Sequence, residues 1–137
     1  AQDTGKVADD YARNTVARIP RPLRHPLLRP RRARQRRMAA RSQQRRYPDD
    51  WVYEVIDGDG QSFEMGMDFT ECGIVKYLER EGAPELAPYF CWVDYPQFAA
   101  MGLRLDRTET IAQGGQRCDF RVSRGEPVQV EPEVVHA

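Results

Sequence analysis

The sequence predicts an α+β fold: a mainly antiparallel sheet of two hairpins with helices packed on one face, preceded by a basic helical arm. Three observations carry this. Two separate stretches alternate apolar with polar residues, and each doubles back at a glycine-containing turn. Between them lie segments with helical spacing of apolar residues, punctuated by glycine and proline. The 137 residues suffice for one core but not for two.

The arm comes first. Val7, Tyr11, Thr15 and Ile19 recur every four residues, which predicts a short helix from Thr4 to Ile19 that Pro20 stops. Prolines at 20, 22, 26 and 30 then predict an extended connector. Arg31 to Arg46 holds good helix formers with only Ala33, Met38, Ala39 and Ala40 as apolar members, so it reads as a solvated helix or one docked on an acidic surface.

The zero net charge hides a division. Residues 1–46 hold fourteen Lys and Arg against three Asp and Glu, whereas residues 47–137 hold seven against eighteen. This favours the arm lying against its own acidic domain, or against a second copy or a partner protein. Nucleic acid fits less well, because the run from Arg21 to Arg46 has no aromatic residue to interleave with bases.

Composition changes at Tyr47-Pro48-Asp49-Asp50, dividing the chain into an arm (1–46), an α+β domain (47–124) and a tail (125–137). Trp51 to Ile56 reads as a strand, Asp57 to Gly60 as a reversal, and Ser62 to Asp68 as the returning strand. Asp68 or Thr70 is placed to cap a helix from Glu71 to Glu81, with Ile74, Tyr77 and Leu78 on one face and Gly82 as terminator. Pro84 opens a helical turn that ends near Pro88, so Cys91 to Asp94 falls in a turn before a short helix from Pro96 to Met101. Leu103 to Ile111 and Arg117 to Ser123 form the second hairpin around Gly114-Gly115, with Cys118, Phe120 and Val122 on one face.

The residue inventory limits the chemistry. His25 and His136 lie outside the domain, which disfavours a Ser-His-Asp or Cys-His site, and there is no glycine-rich phosphate loop. Three cysteines suit a reducing compartment with free or metal-bound thiols; three thiols and a carboxylate from distant parts of the chain would make a zinc site, but with no Cys-x-x-Cys pair the spacing gives it no support, and no metal or cofactor is expected. No apolar run is long enough for a membrane span and none resembles a secretory signal, so a cytoplasmic, membrane-free protein is expected.

Cys72 stands at a predicted helix start, where backbone N–H groups favour a thiolate, although a lone cysteine there also serves as a small packing residue. Cys91 and Asp94 lie three residues apart, Asp94 being placed to orient a proton donor, accept a proton, ligate a metal or cap the helix that begins near Pro96. Cys118 and Asp119 are neighbours on a strand and so face opposite ways, which puts Asp119 and Arg121 outside if Cys118 is inside. Arg107 on the partner strand has the planar fork that binds carboxylates, or that makes a cross-strand salt bridge.

Several of these residues belong to longer blocks: Cys72, the turn Arg80-Glu81-Gly82-Ala83-Pro84-Glu85-Leu86, Cys91 with Asp94, the run Arg107-Thr108-Glu109-Thr110-Ile111-Ala112-Gln113-Gly114, and Cys118-Asp119-Phe120-Arg121. In this order and spacing, Phe69 to Val122 resembles the family of L-2-amino-thiazoline-4-carboxylic acid hydrolases. The resemblance implies hydrolytic opening of a cyclic amidine, a small-molecule substrate. Attack on the electrophilic ring carbon would come from a cysteine thiolate or from water activated by a carboxylate. It further implies a catalytic set of Cys72, Cys91, Cys118 and Asp94, with Cys72 or Cys118 as nucleophile and Asp94 as base or orienter. Arg107, Asp119 and Thr110 would bind substrate, and N–H groups at the helix start near Cys72 would hold its carboxylate. The competing expectation is a ligand-binding or accessory protein without catalysis, whose basic arm docks a partner.

Overall fold

A computed structural model describes residues 28–128 together with residues 10, 14 and 130. The helix expected over Thr4–Ile19, most of the connector and most of the tail lie outside the described residues.

Helix α1 spans Leu28–Ser42, so the helix begins earlier than the prolines imply. Pro30 sits in its first turn, where a backbone N–H has no acceptor within the helix and a proline costs little. The helix lies on the sheet. Ala39 is buried among Tyr53, Met67 and Phe120, small enough to let the helix approach the strand closely.

At its end the Tyr53 N–H donates to Ser42 Oγ at 3.2 Å, and Gln43 Nε2 donates to the Tyr53 carbonyl at 3.0 Å. These contacts satisfy backbone groups of an edge strand that would otherwise pair with another chain. Arg36 and Arg45 reach across to Asp57 and Glu71. The division at residue 46 is therefore one of charge and not of packing, since α1 shares the core of the α+β domain.

Four strands form one antiparallel sheet in the order β1-β2-β4-β3: β1 Val52–Asp57, β2 Met65–Glu71, β3 Leu103–Asp106 and β4 Cys118–Arg124. Met67 pairs with Val55 on one side and Phe120 on the other, and Leu105 pairs with Val122. One face thus carries Tyr53, Met67, Cys118, Phe120, Val122 and Leu105, all buried. The opposite face carries charge, with Asp68 bound by Arg121 at 2.6 Å and Arg117 at 3.4 Å.

Strand β2 begins three residues later than expected. The Asp59 carboxylate accepts the N–H groups of Gln61, Ser62 and Phe63, which keeps that stretch in a turn and out of the ladder. Asp68 and Thr70 consequently lie inside β2, and neither caps the next helix. Strand β3 stops at Asp106 instead of running to Ile111. Residues 107–110 leave the sheet, and Ile111–Gln113 makes a single 3-10 turn closed by Gly114 at φ 87°, a backbone angle that favours glycine.

Helix α2 is Gly73–Arg80, with Cys72 at its N-cap in extended conformation. Of the face expected, Leu78 is buried and Ile74 packs against the core, whereas Tyr77 is half exposed and Gly73 and Val75 are buried in addition. The fixed point is Gly73: a Cβ there would collide with the Asp49 carbonyl and meet the Trp51 ring at 3.0 Å. That close approach decides which side of α2 turns inward.

After a 3-10 turn at Pro84–Leu86, helix α3 runs unbroken over Ala87–Ala100. The turn expected at Cys91–Asp94 and the separate helix from Pro96 are both replaced by this one element. Pro88 occupies the first turn, where its missing N–H has no cost, and Pro96 is carried inside the helix at the loss of one hydrogen bond. Among the described residues no helix is long and apolar enough to cross a membrane.

Candidate active site

Joining the turn at Pro88 to the segment after Pro96 has a direct effect on the site. Cys91, Asp94, Tyr95 and Phe98 become residues i, i+3, i+4 and i+7 of one helix and share a face. That face looks onto the apolar side of the sheet, across from α1. Between α1, α3 and the sheet lies a cavity of about 440 Å³. Cys72, Cys91, Cys118, Asp94 and Arg107 all line it, although they come from four separate parts of the chain.

The remaining wall is mostly aromatic and aliphatic, from Trp51, Phe69, Phe98 and Phe120 among others, with Gln35 and Met38 contributed by α1. A concave, mostly apolar hollow with a few convergent polar groups is the usual form of a small-molecule site. A second, smaller cavity of about 180 Å³ adjoins it and shares Cys91 and Arg107; Thr108, Thr110 and Trp92 lie on its wall.

Arg107, just past the end of β3, has a side chain only 4% exposed. Its guanidinium donates to Asp94 Oδ2 at 3.0 Å and to the Cys91 carbonyl at 2.9 Å. Tyr95 and Phe120 place their rings 5.0 and 5.1 Å from it. Of the two alternatives, the arginine has taken an ion pair, but with α3 and not across strands. The second Asp94 oxygen, Oδ1, has no hydrogen-bond partner among the described residues, and the carboxylate opens on the cavity.

These surroundings set the protonation states. Burial lifts the Asp94 carboxyl from 3.8 to about 6, although the charge and hydrogen bond of Arg107 pull it down. Burial pushes the Cys91 thiol up to about 12 against the pull of Arg107, and the nearby Cys118, Cys72 and Asp94 add repulsion. Cys118 is likewise raised by burial, with only partial relief from the Ile111 N–H that reaches its Sγ at 3.3 Å. Cys72 is buried at the α2 N-cap and makes no side-chain capping bond.

Asp119 and Thr110 stand behind this arrangement. Asp119 is buried on the sheet face away from the cavity, where it accepts the N–H groups of Thr108 and Glu109, each at 2.8 Å, and the Thr108 hydroxyl at 2.6 Å. It ties down the segment that follows Arg107. Thr110 is buried too, bonding Gln113 Oε1 at 2.9 Å, and it borders the smaller cavity.

Gln35, Met38, Trp51, Phe69 and Phe98 line the cavity without having been singled out in the sequence. For Phe98 the signal existed, namely its helical spacing from Cys91 and Asp94, but Pro96 obscured it. Met38 stood out only as one of the few apolar members of its helix, and for Gln35 there was no signal, because a polar helix does not advertise which face it docks. Among the described residues no group of three or more His, Cys, Asp or Glu side chains is arranged to hold a metal ion.

A sequence model of one family, described as L-2-amino-thiazoline-4-carboxylic acid hydrolase, matches residues 7–122. The match takes in the basic segment as well as every residue named above on the cavity wall. No curated protein and no solved structure matches the chain.

Proposed function

Because the chain belongs to this family, whose description is that of a hydrolase, we propose that it hydrolyses a small cyclic amidine at the larger cavity, with Asp94 as general base. The observation that carries the reading is the meeting of Asp94, Arg107 and three thiols on one apolar hollow. Asp94 has the properties the task needs. A carboxylate lifted to about 6 is ionised near neutrality yet more basic than an exposed one, and its Oδ1 is open to a proton donor. Arg107 then serves as a positioning residue that fixes the carboxylate and keeps it ionised.

In the reaction, water loses a proton to Asp94 as its oxygen bonds the amidine carbon, and the C=N electron pair moves to nitrogen. Collapse of the tetrahedral species returns the nitrogen pair to the C–N bond and breaks the C–S bond. The sulfur leaves with the proton held by Asp94, and the hydroxyl proton of the resulting isourea passes to the ring nitrogen, giving a ring-opened urea with a free thiol. Attack by water is favoured over attack by Cys91 or Cys118, since burial holds both thiols protonated near neutral pH. Cys72 remains the thiol for a covalent route, in which its sulfur bonds the same carbon and water later resolves the adduct.

Thiol release from 2-amino-2-thiazoline and its 4-carboxylate by the wild type and by single Cys→Ser and Asp94→Asn variants tests the reading. The expectation is loss of about 100-fold or more in Asp94→Asn, with turnover kept in the three serine variants. Abolition in Cys72→Ser, together with an adduct trapped on Cys72 in the wild type, would move the chemistry to the covalent route. Binding of either compound without thiol release would leave a ligand-binding protein in place of an enzyme.

A further inference from the structure

The size and lining of the cavity say more about what enters it. A thiazoline carboxylic acid is a single five-membered ring with one carboxylate, and it would leave most of 440 Å³ empty. Cavities of about 300–1,000 Å³ bury ligands of drug size. The wall gives that extra space a chemistry, being built from the rings of Trp51, Phe69, Phe90, Phe98 and Phe120 with Met38. Trp51, Met38 and Phe90 are each about half exposed, so the apolar lining continues out to the surface.

The charges argue in the same direction. Arg107 is the cation among the described lining residues, and it is committed to Asp94, to the Cys91 carbonyl and to two flanking rings. A ligand carboxylate would therefore enter a largely apolar space next to an aspartate, beside an arginine whose charge is already shared with that aspartate, which is costly. The open group is an acceptor, Asp94 Oδ1, which suits the N–H donors of an amidine.

We infer that the ligand of this cavity is an amidine-headed molecule with a bulky apolar substituent and no carboxylate. The inference rests on the reading of the cavity as a cyclic-amidine site and names the substrate class more narrowly. The donor head meets Asp94, and an aryl-sized body lies against Phe90, Phe98 and Trp51.

Calorimetric titration of the full chain with three probes separates the contributions: 2-amino-2-thiazoline-4-carboxylate, 2-amino-5-phenyl-2-thiazoline, and the 5-phenyl 4-carboxylate that carries both groups. The phenyl compound without carboxylate is expected to bind at least tenfold more tightly than the small carboxylate, with the doubly substituted probe between them. Phe90→Ala, a change at an exposed rim position that the core does not need, is expected to weaken the phenyl probe about tenfold while leaving the small carboxylate within threefold. Equal affinities, tighter binding of either carboxylate, or no binding by the phenyl probe would overturn the inference. The hydrolase reading fails separately: thiol release from the small carboxylate with reversed binding order keeps the enzyme and removes the apolar substrate, whereas the expected order without thiol release does the opposite.

Discussion

Asp94 is set by two opposed influences, the apolar surroundings that disfavour its charge and the Arg107 guanidinium that favours it. Removing the arginine leaves only the first. In Arg107→Gln the Asp94 carboxyl should therefore titrate above about 6, and the rising limb of kcat/KM against pH should move to higher pH; Arg107→Lys, which keeps the charge but not the planar fork, should move it less. Asp119 shows the reverse balance. Burial raises its pKa, but the hydrogen bonds from Thr108 and Glu109 outweigh that and hold it below 3.8.

A depressed carboxylate stabilises the fold above its unfolded value and loses that contribution as pH falls through the folded one. Asp119→Ala should cost about 1–3 kcal/mol in urea unfolding at pH 7, and the gap to the wild type should narrow at pH 3. Both acids were visible in the sequence as candidates. What strand alternation could not convey is that the outer face at Asp119 is covered by the segment after Arg107, because β3 ends earlier than its pattern suggests.

Among the elements, α3 holds most of what was hidden. Its two prolines read locally as boundaries, yet Pro88 falls in the first turn and Pro96 is tolerated because packing on the sheet outweighs one missing hydrogen bond. The same competition between local and tertiary preference rotated α2 slightly. Ile74 and Leu78 face inward as their spacing suggested, but the contact of Gly73 with Asp49 and Trp51 buries Gly73 and Val75 and leaves Tyr77 half exposed.

Gly73→Ala should consequently do more than raise helix propensity. The added methyl must displace the Asp49 backbone or the Trp51 ring, so a destabilisation of about 1–3 kcal/mol is expected in place of a gain, together with altered Trp51 emission. A more stable variant would mean that this contact does not orient α2. The hairpins were the most legible elements, since their alternation and turns are local properties; two edges shifted, where the Asp59 turn delays β2 and where β3 ends at Asp106.

For the whole molecule, the basic part of the sequence becomes a helix packed on the apolar face of the sheet, and α1 supplies a wall of the cavity as well as part of the core. Its ion pairs at Arg36–Asp57 and Arg45–Glu71 are largely exposed and so contribute little. Arg36→Ala should change stability by less than about 0.5 kcal/mol, whereas Ala39→Glu, which forces a charge into the buried contact with Tyr53 and Phe120, should cost about 3 kcal/mol or more. Denaturant unfolding of the two variants side by side distinguishes docking by apolar contact from docking by charge.

The convergence of the five side chains was not legible, because it depends on long-range pairing that brings Cys118 beside Phe69 and on α3 crossing the sheet. Its chemical meaning rests on Asp94. The direct measurement is kcat/KM for amino-thiazoline ring opening against pH, in the wild type and in Asp94→Asn. A wild-type rate that rises with pH through about 6, and an asparagine variant at least about 100-fold slower without that limb, is the expected result. An asparagine variant that keeps both the rate and the limb would contradict it.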